Sequence, residues 1–413
     1  MNSRERVLAT LNHEISDRIP VDFGGTRRTG ITAAAMYRLR QCLGVETVTR
    51  VYDVYTCLAE IDDAVADMVG SDVLRLPTPV ALLNVESLAD QSRKRWKPYA
   101  LEDGTPVLVP NDFYPERELN GDLCFRDMED RRFALLSRGK FQFLPLMKGP
   151  GVSLQTLDEL ETEISKKNPA IFVEKNSRYW EMLQLATSVF SKTSQKALLL
   201  EAGPPSPFFS GLGRGDISLW KSRLMEQNTF TKQLLEKWLA LWLESVENIK
   251  SAVGTSVDVF VLEEDFSEIH TQIEFQMIRE FILPLYKKGI QVIREHISPK
   301  AKFLWQSPGN ILPLVPDLIL AGVDALNLVD QTVVNGQAAE VKRDFGKQLT
   351  FWGGICSAEE LQSRTPEEIL GFSRDAMYQL AREGNFVLAT SGNILPETPP
   401  ENILTFFGKT GEI

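Results

Sequence analysis

The spacing of apolar positions organises this chain. From about Ser256 onward, short β-rich apolar runs alternate with longer segments of helical period. The run Val257 to Leu262 reads as a strand, and a helical pattern from about Ile273 to His296 follows it. Ala301 to Trp305, 324–328, Leu349 to Trp352 and Phe386 to Ala389 are further strands. Helices are expected over 311–321, near Gly336 to Phe345, from Pro366 to Arg382 and from Pro400. This alternation predicts a parallel sheet wrapped by helices.

The first half adds strands at Arg18 to Phe23, Asp72 to Leu76 and Lys196 to Leu200, after an opening amphipathic helix. Three strands plus five, with helices between, point to a single (β/α)8 barrel over residues 1–413 rather than a doubly wound sheet. Residues 77–148 break the rhythm, with hairpin-type turns at Glu102-Asp103-Gly104 and Asn120-Gly121-Asp122. They read as an inserted β-rich subdomain. Between Asn228 and Val253, Leu234, Leu235, Trp238, Leu239, Trp242, Val246 and Ile249 recur every three or four residues, the stripe of a helix packed on a core.

Composition narrows the function classes. With 413 residues and 43% hydrophobic content the chain can bury a large core. A formal charge of -11 argues against nucleic acid and anionic membrane as partners, because polyphosphate and anionic lipid would be repelled. Cys42, Cys57, Cys124 and Cys356 lack CxxC spacing, and no apolar run reaches the ~18 residues of a membrane span, so a reduced cytoplasmic protein is expected.

In a barrel the chemistry gathers where strands end at their C-terminal edge. After the first strand comes Gly24-Gly25-Thr26-Arg27-Arg28-Thr29-Gly30, where glycines admit close backbone approach and Arg27 and Arg28 can fork a carboxylate or phosphate. The same stretch also fits a turn with solvent-facing arginines. After the fourth strand Glu263-Glu264-Asp265 place acids at the edge, where desolvation raises a carboxyl pKa and suits acid–base work. Helix-dipole complementation accounts for at least one of the three. After the fifth strand stand Gln306 and Ser307, after the sixth Asn327 and Asp330, after the seventh Cys356, and after the eighth Thr390, Ser391 and Asn393. No histidine falls at a strand end.

The segments "SRERVLATLNHEISDRIPVDFGGTRRTGI", "LEEDFSEIHTQIEFQMIREFILPLYKKGI", "GNILPLVPDLILAGVDALN", "LTFWGGI" and "ILPETPPENI" resemble the uroporphyrinogen decarboxylase superfamily over nearly the whole chain. The GGTRRTG opening and TPPENI ending resemble its long bacterial branch related to corrinoid-dependent methyltransferases. The resemblance implies a (β/α)8 barrel. For the decarboxylases it implies cofactor-free chemistry with arginines after the first strand, in a loop that usually reads RQAGR. Gly24 to Arg28 keep arginines but not that motif.

For the methyltransferase branch the resemblance implies zinc on a His-x-Cys after the fifth strand and on a late Cys. Those positions fall on Gln306, on Pro308 and within Ser391-Gly392-Asn393, none a usual zinc ligand. The expectation is therefore a chain without the family zinc site and without a bound cofactor, its corrinoid, if used, being carried by a partner protein. Three readings stay open: a divergent corrinoid-linked methyltransferase acting on a small molecule, with Glu264 and Asp265 as acid or base; a cofactor-free decarboxylase of a carboxylated, tetrapyrrole-like substrate; and a non-catalytic barrel that binds a small molecule. The candidate substrate-binding groups are Arg27, Arg28, Gln306, Ser307, Asn327, Asp330 and Ser391, with Arg27 and Arg28 as the clamps of the decarboxylase reading.

Overall fold

The computed structural model describes the chain except for residues 78–95, 112, 127–129, 166–176, 205–206, 329–337, 382–383 and 410–413. Its centre is a curled sheet of seven parallel strands. They are β1 Val73–Arg75, β2 Ala197–Glu201, β3 Val259–Glu263, β4 Lys302–Ser307, β5 Ala325–Leu328, β6 Thr350–Trp352 and β7 Phe386–Val387. Each lies beside its neighbours in chain order. The strand expected over 18–23 forms a bridge rather than a ladder, for Pro20 has no N–H to give one. Val21 pairs in parallel with Leu388. The Asp22 N–H donates to the Leu388 carbonyl and the Leu388 N–H to the Pro20 carbonyl, both at 2.8 Å, while the Asp72 N–H donates to the Val21 carbonyl at 2.8 Å. This short segment touches both edges of the sheet and closes it into a barrel.

One buried carboxylate secures the closure. Asp72 accepts from the Val21 N–H at 2.9 Å, from Arg6 Nη1 at 2.6 Å and from Arg18 Nη1 and Nη2 at 2.7 and 2.9 Å. The opening helix α1, Ser3–Leu11, thereby plugs the N-terminal end of the barrel, where Val7 and Leu11 join the interior cluster of Val73, Leu199, Val261 and Leu304.

The outer layer follows the apolar periods. Helix α2 is Ala33–Leu43. Helix α3, Thr229–Val253, is capped by the Asn228 side chain and buries Leu234, Leu235, Trp238, Trp242, Val246 and Ile249 against the sheet. The helix expected over 273–296 comes in three pieces: Gln272–Met277, a π turn over Ile278–Ile282, and α4, Leu283–His296. Pro284 in the first turn of α4 removes a backbone donor, which suits a local change of hydrogen-bond spacing. The segment 311–321 divides into a 3-10 turn Leu312–Leu314 and a helix Val315–Ala321.

The first half also carries antiparallel sheets. Trp96–Ala100 and Pro106–Pro110 form a hairpin around Gly104 at φ 83°. A four-stranded sheet of Glu116–Arg117, Leu123–Arg126, Arg132–Leu136 and Leu144–Pro145 follows, its first turn passing through Gly121. Phe113, Phe125 and Phe143 pack together beneath it. Among the described residues no helix is long and apolar enough to cross a membrane.

Asp72→Ala strands two guanidinium groups and a strand N–H, so it should lower unfolding stability by about 3–5 kcal/mol. Urea denaturation measures this, and a loss below about 1 kcal/mol would contradict the role given to Asp72 in closure.

Candidate functional site

Alternation along the strands decides what faces the barrel mouth. Val73, Leu199, Val261, Leu304 and Ala325 point inward, into the interior cluster. Two residues further on, with the same orientation, stand Arg75, Glu201, Glu263, Gln306 and Asn327. Glu263, Gln306, Asn327 and Trp352 lie side by side in register. The last inward layer is thus polar and chargeable above an apolar interior.

The loop after the first strand folds over this layer. Asp22, fully buried, accepts from the Gly25 N–H at 2.6 Å, from Thr29 Oγ1 at 2.9 Å and from Trp352 Nε1 at 2.7 Å. Burial outweighs these donors and pushes its pKa up to about 6. Gly25 is required by space, since a Cβ there would stand 2.5 Å from Val73 and 2.6 Å from the Asp22 carboxylate. The Thr26 and Thr29 hydroxyls meet at 3.0 Å, and Gln306 Nε2 donates to Thr26 Oγ1 at 3.0 Å.

Acids from three other elements fix the two arginines of the loop. The Arg27 N–H donates to Glu201 Oε1 at 2.8 Å, while its Nε and Nη2 reach Asp53 Oδ2 at 3.1 and 2.9 Å. Burial opposes the Arg27 charge, but Asp53, Glu201 and Glu263 together hold its pKa well above the ordinary value. Arg28 Nη2 pairs with Glu263, and its buried Nε has no partner among the described residues. Burial also raises the pKa of Glu201, with Glu263 adding to the rise and Arg27 and Arg75 opposing it.

Of the residues singled out from sequence, Arg27, Arg28, Gln306 and Asn327 come together here. Asn327 is fully buried, and neither atom of its amide has a partner among the described residues. Ser307 is buried, and its hydroxyl donates to the Pro308 carbonyl at 3.0 Å. Ser391 is buried, and its N–H donates to the Cys356 carbonyl at 3.1 Å. Asp330 lies outside the described residues.

Glu264 lies on the other side of the sheet. Fully buried, it accepts from the Phe209 and Ser210 N–H groups at 2.8 and 3.0 Å, from Ser210 Oγ at 2.9 Å and from the Tyr286 hydroxyl of α4 at 2.9 Å. Burial prevails over these donors and lifts its pKa to about 7. Its geometry is that of an anchor for the loop after β2. The Asp265 carboxylate accepts from the Ser267 N–H and hydroxyl at 2.9 and 2.6 Å, closing a local turn.

Of the acids here, Glu263 belongs to the run Glu263-Glu264-Asp265 singled out from sequence, whereas Glu201 and Asp22 do not. Glu201 and Glu263 end strands buried on both faces, whose apolar runs do not show which side is inner. Asp53 was not singled out either, since it comes from a short strand, Val51–Asp53, outside the alternation of strands and helices. The turn after β4 has its own constraint: Gly309 sits at φ 91°, and a Cβ there would fall 2.6 Å from the Phe266 carbonyl. Among the described residues no group of three or more His, Cys, Asp or Glu side chains is placed to hold a metal ion.

The uroporphyrinogen decarboxylase (URO-D) family model matches residues 206–412, half of the chain. A uroporphyrinogen decarboxylase of Rickettsia felis is 25% identical over 214 residues, 51% of this chain. The match spans 58% of that relative's length. A methyltransferase from Methanosarcina mazei superposes with a TM-score of 0.60 at 16% identity, covering 100% of this chain and 99% of that one. At that identity the likeness shows a shared fold.

Glu264→Ala leaves four donors facing a cavity. It should cost about 3 kcal/mol and accelerate amide exchange at Phe209 and Ser210. Hydrogen-exchange measurement checks this, and unchanged protection of both amides would remove Glu264 from the anchoring role.

Proposed function

The chain belongs to the uroporphyrinogen decarboxylase family, and from that premise we propose that it is an enzyme that decarboxylates a small carboxylated molecule at the barrel mouth without a metal or cofactor. The observation that carries this reading is the pair of orphans in the inward layer, the Asn327 amide and Arg28 Nε. Buried donors without partners cost ~1–3 kcal/mol each, and a substrate carboxylate is the acceptor that Arg28 Nε and Asn327 Nδ2 lack. Arg28 is already held by Glu263 and Arg27 by Asp53, so binding needs little reordering of either side chain.

The residues also supply a proton. Loss of carbon dioxide leaves the electron pair of the broken C–C bond on the substrate carbon, which takes up one proton. Glu201 faces inward beside Arg27 and Glu263, with burial and its like-charged neighbour favouring its protonated form. It is the acid assigned here. Gln306 and Pro308 offer no usual zinc ligand after β4, so the proposed step uses proton transfer and charge alone. Corrinoid-linked methyl transfer is the second reading, favoured by the likeness in fold along the whole length of the Methanosarcina mazei methyltransferase.

Carbon dioxide release from a panel of isotopically labelled di- and tricarboxylates tests the first reading. Incubation with a methylated corrinoid protein tests the second by its change in absorption spectrum. With the substrate found, Glu201→Gln should lower kcat by about 100-fold or more while KM stays nearly constant. A general acid must be protonated, so kcat should persist at low pH and fall as pH rises through the elevated Glu201 pKa. Unaltered kinetics in Glu201→Gln would remove the proposed acid, and binding without turnover would make the barrel a binder.

A further inference from the structure

A cavity of about 460 Å³ lies where the antiparallel sheets meet the loops after the first and last barrel strands. None of Asp22, Arg27, Arg28, Glu201, Glu263 or Gln306 lines it. Its walls are apolar, built from Val51, Val54, Val109, Phe113, Leu136 and Phe143. The Phe113 ring stands edge-on to Tyr99 at 5.1 Å and to Phe143 at 6.4 Å, so the walls are preset by ring packing. The charged residues that line it stand at the rim: Glu102 faces Arg117 at 2.6 Å, Asp103 faces Arg38 at 4.0 Å, Glu397 accepts from Gln362 Nε2 at 3.4 Å, and Lys140 is exposed. The buried wall itself contains no charged side chain.

One wall group has hydrogen-bonding capacity to spare. Thr32 immediately precedes α2, where a threonine hydroxyl ordinarily caps the first turn. It makes no such bond. Its Oγ1 has no partner among the described residues, although the residue is only 1% exposed. The backbone is fixed independently, since the Thr32 N–H donates to the Ile394 carbonyl at 3.0 Å. The hydroxyl is therefore neither a cap nor a structural tie, and Thr32 is among the residues that line the cavity.

We propose that this cavity is a second small-molecule site, separate from the barrel mouth. Its ligand is a neutral, mainly apolar molecule with one hydroxyl or carbonyl group that hydrogen-bonds to Thr32 Oγ1. Neutrality follows from the uncharged buried wall, since the charges of both signs at the rim are exposed to water or paired. Apolar character follows from the rings and branched side chains, and the volume is within the ~300–1,000 Å³ of ordinary ligand pockets. A charged ligand would lose hydration here with nothing to replace it.

Fluorescence titration of the full chain with 2-naphthol, and with naphthalene as the probe lacking the hydroxyl, tests this. The wild-type chain should bind both saturably with one-to-one stoichiometry. Thr32→Val removes no bond within the protein, and should weaken 2-naphthol by about fivefold while leaving naphthalene unaltered. Ala34→Phe projects a ring into the cavity and should abolish binding of both. Phe141→Ala, at a half-buried wall position, should weaken both and keeps the test decisive if Ala34→Phe fails to fold. Absence of saturable binding by the wild-type chain would overturn the site. Equal responses of the two probes to Thr32→Val would overturn the role of its hydroxyl.

Discussion

A closed parallel sheet imposes one constraint from which the rest of this structure follows: neighbouring residues on a strand face opposite sides. Inside the barrel Val261 and Leu304 fill the core, and two residues later Glu263 and Gln306 look into the mouth. Glu264 belongs to the outer layer, where Tyr286 and the loop after β2 receive it. Two adjacent carboxylates thus take unrelated tasks. Closure turns one face of the sheet into an enclosed interior, and it rests on the short contact of Val21 with both edges and on the Asp72 carboxylate beneath it.

The mouth is built from opposed charges rather than from one sign. Arg27 and Arg28 are fixed by Asp53, Glu201 and Glu263, which arrive from three separate elements. Buried ion pairs of this kind add little net stability, because desolvation offsets much of their attraction. What they provide is position: two guanidinium groups held at the edge of a polar layer, with Arg28 Nε and the Asn327 amide without partners among the described residues. Beneath them Asp22 ties the loop to Trp352 and keeps the glycine-rich turn close to the barrel axis.

The mouth and the apolar cavity share chain segments without sharing lining residues. Asp53 holds Arg27, while Val51 and Val54 on either side of it line the cavity. Asn393 accepts from the Gly30 N–H, and Leu395 lines the cavity a turn later. The short strand Val51–Asp53 and the loop after β7 therefore form a common partition.

The sequence by itself determined the barrel, because five strand–helix units in the second half and the stripe of α3 are local patterns with periods that read directly from apolar spacing. It determined the turns at Gly104 and Gly121 for the same reason, since turn chemistry is local. It also placed Arg27, Arg28, Gln306 and Asn327 at the mouth, because strand ends are legible once strands are. The phase of each strand was not legible from the apolar run Val257 to Leu262, buried on both faces and thus without alternation to show which side is inner. Only the tertiary structure set that phase, sending Glu263 inward and Glu264 outward, and only it brought Asp53 to Arg27 across 26 residues. Those decisions depend on which distant surfaces meet, which no local period encodes.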